Sequence, residues 1–287
     1  MSVPKGLLRP RAPETQKGDV GHVFVVAGSV GLSGAAALCS VGALRTGAGL
    51  VTLGIPERLH DLMASKLTEV MTKPLPETKA GSLSLQALPE ILTFTERVDV
   101  IALGPGLSQQ AQTKQLVQQV LPKLAKPCVL DADGLNAIAE DLQVLKRRVH
   151  PLVLTPHPGE MARLITLSAQ DVQRDRERIA KEFAKRYGLV VVLKGHKTAV
   201  ANVDGQLYVN ETGNPGMASG GFGDVLTGMI AALAGQGLAV FDAARLGVYL
   251  HGLAGDLAAD EVGPVGLIAS DLLDRIPAAI EQYQGFS

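Results

Sequence analysis

The protein is a chain of 287 residues, of which 46% are hydrophobic and 19% are charged, and its formal net charge is −1. This composition excludes a mainly disordered chain, because disordered chains are poor in hydrophobic residues and usually carry a high net charge. The balanced charge gives no attraction to nucleic acid or to an anionic membrane, and an aromatic content of 3% without tryptophan argues against a base-stacking surface. We therefore expect neither nucleic acid nor a membrane as a partner.

Short apolar runs alternate with longer helical patterns over most of the chain. Nearly continuous runs of valine, isoleucine and leucine are typical of strands that are buried on both faces of a sheet. They predict strands at His22–Ala27, Gly49–Gly54, Val98–Gly104, Pro127–Asp131, Leu152–Thr155 and Leu189–Lys194. Helices are predicted between them at Gly34–Thr46, Gln109–Leu124, Pro158–Leu164 and Asp171–Tyr187. The alternation predicts an α/β fold with helices on both faces of a mostly parallel sheet.

The later part of the chain predicts a hairpin and then helices. The runs Thr198–Val203 and Leu207–Asn210 are separated by the turn residues Asp204-Gly205, a pattern typical of two antiparallel strands. Beyond them, helices are predicted at Gly220–Ala234, Val240–Ala259 and Ser270–Gln284. No linker-like segment divides the chain, so we expect one domain.

The N-terminal sequence and the two cysteines predict a cytoplasmic protein. The first residues contain no apolar segment of the kind found in signal peptides. The stretch from Val20 to Leu44 has no aspartate, glutamate, lysine or arginine, but its glycines favour a strand, a loop and a helix over a membrane span. Cys39 and Cys128 both lie in apolar runs and are expected to be buried free thiols.

The strongest functional signal is the glycine-rich segment from Gly213 to Leu233. Six glycines fall within sixteen residues and lead directly into an apolar helix. Such a turn directs several free N–H groups and the positive end of the helix dipole at one point, which predicts an anion hole. Asp224 in this segment is either a base beside a bound phosphate or an ordinary helix cap.

Polar residues and glycines also follow several of the predicted strands. The first glycine-rich loop, with Gly28, Gly31 and Gly34, fits neither the dinucleotide-binding fingerprint nor a P-loop. Further candidates at strand ends are Gly104-Pro105-Gly106, Asp131, Asp133, Asn136, His157 and Glu160. Each segment alone is explained by a tight turn or a helix start, but together they predict one crevice at the carboxyl ends of the strands.

Lys194 ends a buried strand, where a lysine is costly without an anionic partner. It is expected either to bind a phosphate or to emerge into solvent. A cluster with metal-ligand spacing and a nucleophile elbow are both absent from the sequence, so no dedicated metal site is expected. A carboxylate, a lysine and several glycine-rich turns fit phosphoryl transfer best, because that chemistry depends on positioning and charge neutralisation.

The chain resembles a known family, the ADP/ATP-dependent NAD(P)H-hydrate dehydratases. The resemblance covers nearly the whole chain and rests on motifs in the family's order: KGDVGHV, AGSVGLSGAA, GAGLVT, GPGL, DADGLN, LTPHPGE, LKGHKT and NPGMASGGFGDVLTGMI. It implies a ribokinase-like fold, a three-layer α/β/α arrangement around a mostly parallel sheet. By this resemblance, residues 1–16 are a short N-terminal extension and residues 17–287 a single dehydratase domain.

The resemblance also implies roles for individual residues. Asp224 would be the catalytic base and would contact the NAD(P)H hydrate together with Ala35, Gly106 and His157. Residues implied to bind ADP or AMP are Lys194, Gly195, His196, Lys197, Thr198 and Gly223. Those implied to form the anion hole are Gly220, Gly221, Phe222 and Gly223. The family more often carries an aromatic residue or methionine, then proline or threonine, at Leu32-Ser33, and threonine at Phe222.

The implied reaction is dehydration of NADHX or NADPHX to NADH or NADPH. ADP or ATP would be the cosubstrate with Mg²⁺, and ADP would give AMP. The resemblance further implies a homo-oligomer, specifically a tetramer, and a separate epimerase acting alongside. Two other functions fit the same residues: a ribokinase-like kinase for a small molecule such as a vitamin precursor, and a non-catalytic sensor that binds adenine nucleotide.

Overall fold

Nine strands form one sheet in a computed structural model that describes residues 6–8 and 10–285. In chain order they are β1 (His22–Val26), β2 (Leu50–Pro56), β3 (Met71–Leu75), β4 (Val100–Leu103), β5 (Cys128–Leu130), β6 (Leu152–Leu154), β7 (Val190–Leu193), β8 (Ala199–Ala201) and β9 (Leu207–Val209). Their order across the sheet is β3-β2-β1-β4-β5-β6-β7-β8-β9. The strands from β3 to β7 in this order pair in parallel, whereas β8 and β9 add an antiparallel hairpin.

Helices cover both faces of this sheet. They are α1 (Ser33–Arg45), α2 (His60–Lys66), α3 (Leu88–Thr95), α4 (Ala111–Val120), α5 (Asp133–Ile138), α6 (Val144–Arg147), α7 (Pro158–Ile165), α8 (Ala169–Arg174), α9 (Arg176–Tyr187), α10 (Phe222–Gly235), α11 (Val240–Val262) and α12 (Ala269–Gln284). None of the described helices is both long enough and apolar enough to cross a lipid bilayer.

The two hydrophobic cores follow from the alternation of side chains along each strand. In β1, Val23 and Val25 belong to one core, whereas Phe24 and Val26 belong to the other. Consecutive side chains of a strand point to opposite faces, so a continuously apolar strand requires cover on both sides. Helices α1, α2, α10, α11 and α12 supply one cover, and α3 to α9 supply the other. The predicted three-layer α/β/α fold with a mostly parallel sheet is confirmed.

Several predicted boundaries need correction. The sequence patterns did not predict β3, because it is an edge strand in which Lys73 and Pro74 interrupt the apolar run, and a proline is tolerated at a sheet edge. The single helix predicted over Asp171–Tyr187 is wrong. It is divided into α8 and α9 at Asp175, whose φ of −141° and ψ of 47° are not helical.

The predicted helix Gln109–Leu124 is also shorter than expected. The α-helix ends at Val120, and a short 3₁₀ segment that contains Pro122 follows it. Proline cannot donate the backbone hydrogen bond that would continue an α-helix, which accounts for the early end. The predicted N-terminal extension falls partly on residues 1–5 and 9, which lie outside the described residues.

Close packing between α1 and α10 positions the glycine-rich segment against the sheet. A Cβ atom at Gly228 would lie 2.0 Å from the carbonyl oxygen of Cys39, and one at Gly42 would lie 2.9 Å from the carbonyl oxygen of Val225. Glycine at both positions lets the two helix backbones approach closely. The N-terminus of α10 is thereby held next to the carboxyl ends of the central strands.

Candidate active site

The glycine-rich segment ends at the N-terminus of α10, as predicted. Gly221 is the cap residue, with a φ of 100°, so Asp224 is the third residue of the helix. The alternative in which Asp224 caps the helix is therefore wrong. His251 of α11 holds this first turn, because its Nε2 atom lies 2.9 Å from the carbonyl oxygen of Phe222. The carboxylate of Asp224 is free of a capping role and belongs to the crevice.

Asp224 has the ionisation expected of a general base. Burial raises its pKa to about 7, and the negative charge of Asp131 adds to this effect, while Lys194 opposes it. A base with a pKa near neutrality is partly ionised at physiological pH and still binds a proton strongly. Asp224 can therefore accept a proton from a bound hydroxyl group.

Lys194 has an anionic partner inside the protein. Its Nζ atom lies 2.7 Å from Oδ1 of Asp131, and the other oxygen of Asp131 accepts a hydrogen bond of 2.8 Å from Thr227 Oγ1. Only 18% of the Lys194 side chain is exposed, so the alternative in which it emerges into solvent is wrong. Burial acts to lower the pKa of Lys194, but the carboxylates of Asp131 and Glu160 outweigh it and raise the pKa above its usual value.

The ammonium group of Lys194 also lies beside the glycine-rich turn. A Cβ atom placed at Gly223 would lie 3.2 Å from Nζ of Lys194. The absence of a side chain at Gly223 therefore leaves the cation next to the first turn of α10. A positive charge and a helix N-terminus directed at the same place are what a phosphate group requires.

His157 starts α7 and shares a reciprocal pair of hydrogen bonds with Glu160. Its Nδ1 atom accepts hydrogen bonds of 3.0 Å from the N–H of Gly159 and 3.3 Å from that of Glu160, while Oε2 of Glu160 accepts one of 2.8 Å from the N–H of His157. Burial, and then the positive charge of Lys194, lower the pKa of His157. The neutral ring carries its proton on Nε2, which lies 3.5 Å from Oε1 of Glu160, and 51% of the side chain is exposed. Pro158 occupies the first helical position, as predicted.

Glu160 links His157 to the lysine. Its Oε2 atom lies 3.9 Å from Nζ of Lys194, and the residue is buried. Burial raises the pKa of Glu160, and Lys194 partly opposes this effect. The sequence patterns placed Glu160 and Asp131 at strand ends without giving them a role, and they did not identify Thr227. Thr227 lies three residues after Asp224 and on the same face of α10, and this spacing could have indicated its place in the site.

Two strand-end loops meet on the other side of Asp131. The φ of Gly106 is 62°, and a Cβ atom on it would lie 3.1 Å from the Cβ of Ala35. Ser29 Oγ donates a hydrogen bond of 2.8 Å to the carbonyl oxygen of Gly106. At Gly104 a Cβ atom would lie 1.9 Å from the carbonyl oxygen of Asp131. The loops after β1, β4 and β5 are therefore in direct contact, and the binding crevice between them stays a prediction.

The loop from Lys194 to Thr198 joins β7 to β8. The N–H of Lys194 donates a hydrogen bond of 2.8 Å to the carbonyl oxygen of Pro156, so the loop begins beside the segment that carries His157. Gly195, His196 and Lys197 are exposed. Within the described part of the chain, no hydrogen bond or ion pair connects the side chains of His196 and Lys197 to Asp224. Gly220 is likewise exposed, and the role of each of these residues stays a prediction.

Among residues 6–8 and 10–285, no group of three or more histidine, cysteine, aspartate or glutamate side chains is arranged to hold a metal ion. Cys39 and Cys128 are both free and buried, as predicted.

Comparison with known proteins gives a consistent result. A family model described as NAD(P)H-hydrate dehydratase matches residues 23–278. A bifunctional NAD(P)H-hydrate repair enzyme from Moorella thermoacetica is 51% identical over 274 residues, which are 96% of this chain and 52% of that protein. The present chain thus spans about half the length of this relative.

Solved structures agree with the sequence match. The ADP/ATP-dependent NAD(P)H-hydrate dehydratase from Bacillus subtilis, co-crystallised with ATP/Mg²⁺, is 34% identical with a TM-score of 0.80 over 96% of this chain and 94% of that chain. A ribokinase-like superfamily protein from Enterococcus faecalis V583 has a TM-score of 0.81 at 25% identity over 96% of this chain and 92% of that chain. Both the ribokinase-like fold and the resemblance drawn from the motifs are confirmed. The chain belongs to the NAD(P)H-hydrate dehydratase family.

Proposed function

We propose that the protein dehydrates NAD(P)H hydrate at the expense of ADP or ATP and so returns NADH or NADPH, a metabolite-repair reaction. The observation that carries the proposal is Asp224, a carboxylate with a pKa raised to about 7 mainly by burial, in the first turn of a glycine-capped helix. The family membership and the ATP/Mg²⁺ co-crystal of the Bacillus subtilis dehydratase support it.

Asp224 accepts the proton of the C6 hydroxyl of the hydrated nicotinamide ring in the first step. The hydroxyl oxygen then forms a bond to the terminal phosphorus of the nucleotide, and the bond from that phosphorus to the bridging oxygen breaks. ADP leaves as AMP, and ATP leaves as ADP. In the second step the ring nitrogen lone pair expels phosphate from C6, and loss of a proton from C5 restores the ring double bond.

The nucleotide phosphates are proposed to lie at the first turn of α10. Gly220, Gly221, Phe222 and Gly223 supply backbone N–H groups there, and Lys194 supplies a positive charge. The loop residues Gly195, His196, Lys197 and Thr198 are proposed to contact the rest of the nucleotide. The position of Nζ of Lys194, 3.2 Å from where a Gly223 side chain would begin, supports this arrangement.

The hydrate is proposed to bind on the other side of Asp224, against Ala35, Gly106 and His157. The half-exposed ring of His157, whose Nε2 atom lies 3.5 Å from Oε1 of Glu160, is proposed to contact the substrate. The segments of Ala35 and Gly106 lie in close contact, with Leu32 also against Gly106. The base would then lie beside the hydroxyl group, whose oxygen faces the phosphorus directly, as the first step requires.

Mg²⁺ fits the charges of the site. Asp131, Asp133 and Glu160 are close enough to act on the pKa of Asp224, and Lys194 is the cation among the charges that act on it. A nucleotide diphosphate entering such a site needs further positive charge, which Mg²⁺ would supply. When bound, Mg²⁺ would neutralise the developing charge on the phosphoryl group.

We also propose the wider organisation that the resemblance implies. Residues 17–287 would act as one domain, working in the cytoplasm together with an epimerase activity. A homo-oligomer, specifically a tetramer, is proposed, and the exposed apolar side chains of Val262, Val265 and Ile268 in one segment offer it contact area. Light scattering of the purified protein tests the tetramer, and a monomer would contradict it.

The reaction is tested by incubating the protein with purified NADH hydrate and either ADP or ATP. Return of the dihydronicotinamide absorbance, with release of inorganic phosphate in equal amount, is the expected result. A kinase for a small molecule such as a vitamin precursor would leave the hydrate unchanged and accumulate its own phosphorylated product, and a sensor would bind nucleotide without turnover. Asp224→Asn serves as the matched inactive control.

A further inference from the structure

Arg176, the first residue of α9, forms hydrogen bonds with the backbone at the end of β7 and in the loop between β7 and β8. Its Nη2 atom donates hydrogen bonds of 3.1 Å to the carbonyl oxygen of Leu193 and 3.0 Å to that of Lys197. Its Nη1 atom donates to the carbonyl oxygen of His196. A single guanidinium group thus binds three backbone carbonyls within one short loop, which is possible because its five N–H donors lie in one rigid plane.

The helix break described above places Arg176 where it can reach the loop. Asp175, between α8 and α9, has a non-helical backbone, and α9 starts anew at Arg176. Arg178, only two residues further, has a different role, since it forms ion pairs with Asp175 and Glu182 on the exposed face of the helix. The contact with the loop is therefore specific to Arg176 and not a general property of this basic helix.

The loop has a backbone that requires support. Lys197 has a φ of 57° and Gly195 a φ of 141°, and a left-handed conformation is uncommon for a residue such as lysine. The guanidinium group also packs over Gly195, where a Cβ atom would lie 3.1 Å from Nη1. Because a trans peptide directs C=O and the following N–H to opposite sides, capture of the His196 carbonyl turns the N–H of Lys197 away from Arg176.

We propose that Arg176 is a positioning residue for nucleotide binding, which keeps the Lys194–Thr198 loop in its binding conformation without touching the nucleotide. The inference rests on the proposed function, in which this loop binds the nucleotide. Preorganisation of a loop increases affinity because the ordering cost is met before the ligand arrives. Arg176 therefore acts on nucleotide affinity and leaves the hydrate side of the crevice unchanged.

The experiment compares Arg176→Ala and Arg176→Lys with the matched control Arg178→Ala on the same helix. Calorimetry measures ADP binding, steady-state kinetics measures KM for ADP and for the hydrate separately, and hydrogen exchange measures the loop amides without ligand. Arg176→Ala is expected to weaken ADP binding about tenfold or more, with faster exchange in residues 194–198 and an unchanged KM for the hydrate. Arg178→Ala is expected to match the wild type.

Guanidinium rescue and the lysine variant distinguish loss of the Arg176 contacts from general loss of folding. Millimolar guanidinium added to Arg176→Ala should recover part of the ADP affinity. Arg176→Lys should still bind ADP more weakly than the wild type, because one ammonium group cannot replace the planar guanidinium group. Faster hydrogen exchange in the loop amides with unchanged ADP affinity would overturn the inference, because Arg176 would then stabilise the loop without affecting nucleotide binding. Equal losses for ADP and hydrate would overturn it as well. Absence of nucleotide binding in the wild-type protein would instead contradict the proposed function itself.

Discussion

The raised pKa of Asp224, on which its proposed role as a base depends, comes from its surroundings rather than its residue type. Burial raises its pKa to about 7, so that at neutral pH it can both bind and release a proton. The adjacent Lys194 is already paired with Asp131 and therefore does not form a tight ion pair with Asp224 that would abolish its basicity. The two carboxylates thus differ in role: Asp131 is paired with the lysine, and Asp224 is the one proposed to contact the substrate.

Replacing Asp224 by asparagine is expected to lower kcat by about 10²–10⁴, because the amide cannot accept the proton. ADP affinity should stay within about threefold, since Gly221 and not Asp224 caps the helix. Steady-state kinetics and calorimetry measure the two quantities. Near-normal turnover in the purified variant would remove Asp224 from the role of base.

Thermal unfolding supplies the control for this variant. The raised pKa of Asp224, caused first by burial, means that its ionised form costs stability, and that cost grows as pH rises from the ordinary carboxyl range through about 7. Asparagine removes the cost, so the variant should be at least as stable as the wild type at pH 8. A large loss of stability would show that misfolding accounts for the loss of turnover.

Lys194 is expected to serve both the nucleotide and the fold. Lys194→Met should weaken ADP binding about tenfold or more and should also lower the free energy of unfolding by ~3 kcal/mol, because Asp131 is left buried without its cation. This differs from a solvent-exposed lysine, whose loss would leave the fold unchanged. Asp131→Asn combined with Lys194→Met should recover stability but not ADP affinity. Recovery of both in the double variant would contradict a direct role of Lys194 in binding.

At the scale of elements, α7 begins at the residue that is proposed to bind the hydrate. His157 uses Nδ1 to cap the helix, and its Nε2 atom lies 3.5 Å from Oε1 of Glu160. If His157 binds the hydrate as proposed, one side chain couples the start of a helix to the position of a ligand. The reciprocal bond from the N–H of His157 to Glu160 holds the arrangement rigid, since both residues lie in the same turn.

Two substitutions separate these roles of His157. Asparagine can still cap a helix, so His157→Asn should keep the stability that His157→Ala loses, which is ~1 kcal/mol. Both variants should lose about 1–3 kcal/mol in kcat/KM for the hydrate, with KM for ADP unchanged. The two KM values are measured with the other substrate saturating. Equal losses for both substrates would mean that His157 supports the fold alone, and a loss for ADP only would reverse the two sides of the crevice.

At the scale of the whole molecule, the crevice collects charges from four separate parts of the chain. Asp131 follows β5, Glu160 lies in α7, Lys194 follows β7 and Asp224 lies in α10. The order of the sheet makes β5, β6 and β7 neighbours, so their carboxyl ends meet beside the N-terminus of α10. The ionisation of Asp224 is therefore a property of the assembled fold.

This assembly predicts the pH dependence of the reaction. Because burial and the charge of Asp131 raise the pKa of Asp224 to about 7, kcat/KM for the hydrate should fall as pH drops through that value, where the base becomes protonated. In Asp131→Asn the midpoint should move to lower pH, since a negative charge that raises the pKa has been removed. An unchanged midpoint in that variant would contradict the electrostatic coupling.

The sequence by itself determined the elements and the chemistry that local patterns encode. Continuous apolar runs predicted the buried strands because both faces of a parallel sheet are covered, and the glycines before Asp224 predicted a helix N-terminus with a carboxylate in it. The sequence patterns did not predict β3, because an edge strand needs no continuous apolar run. The family followed from motifs that lie far apart but keep their order.

Which of these residues form ion pairs and hydrogen bonds with one another is known only from the folded structure. Asp131 and Lys194 are 63 positions apart, and their pairing depends on the order of strands in the sheet, which no local pattern records. The helix break at Asp175 and the reach of Arg176 to the loop after β7 depend likewise on how α9 packs against that sheet. The pKa of Asp224 was decided in the same way, because burial and the charges of distant residues exist only once the chain has folded.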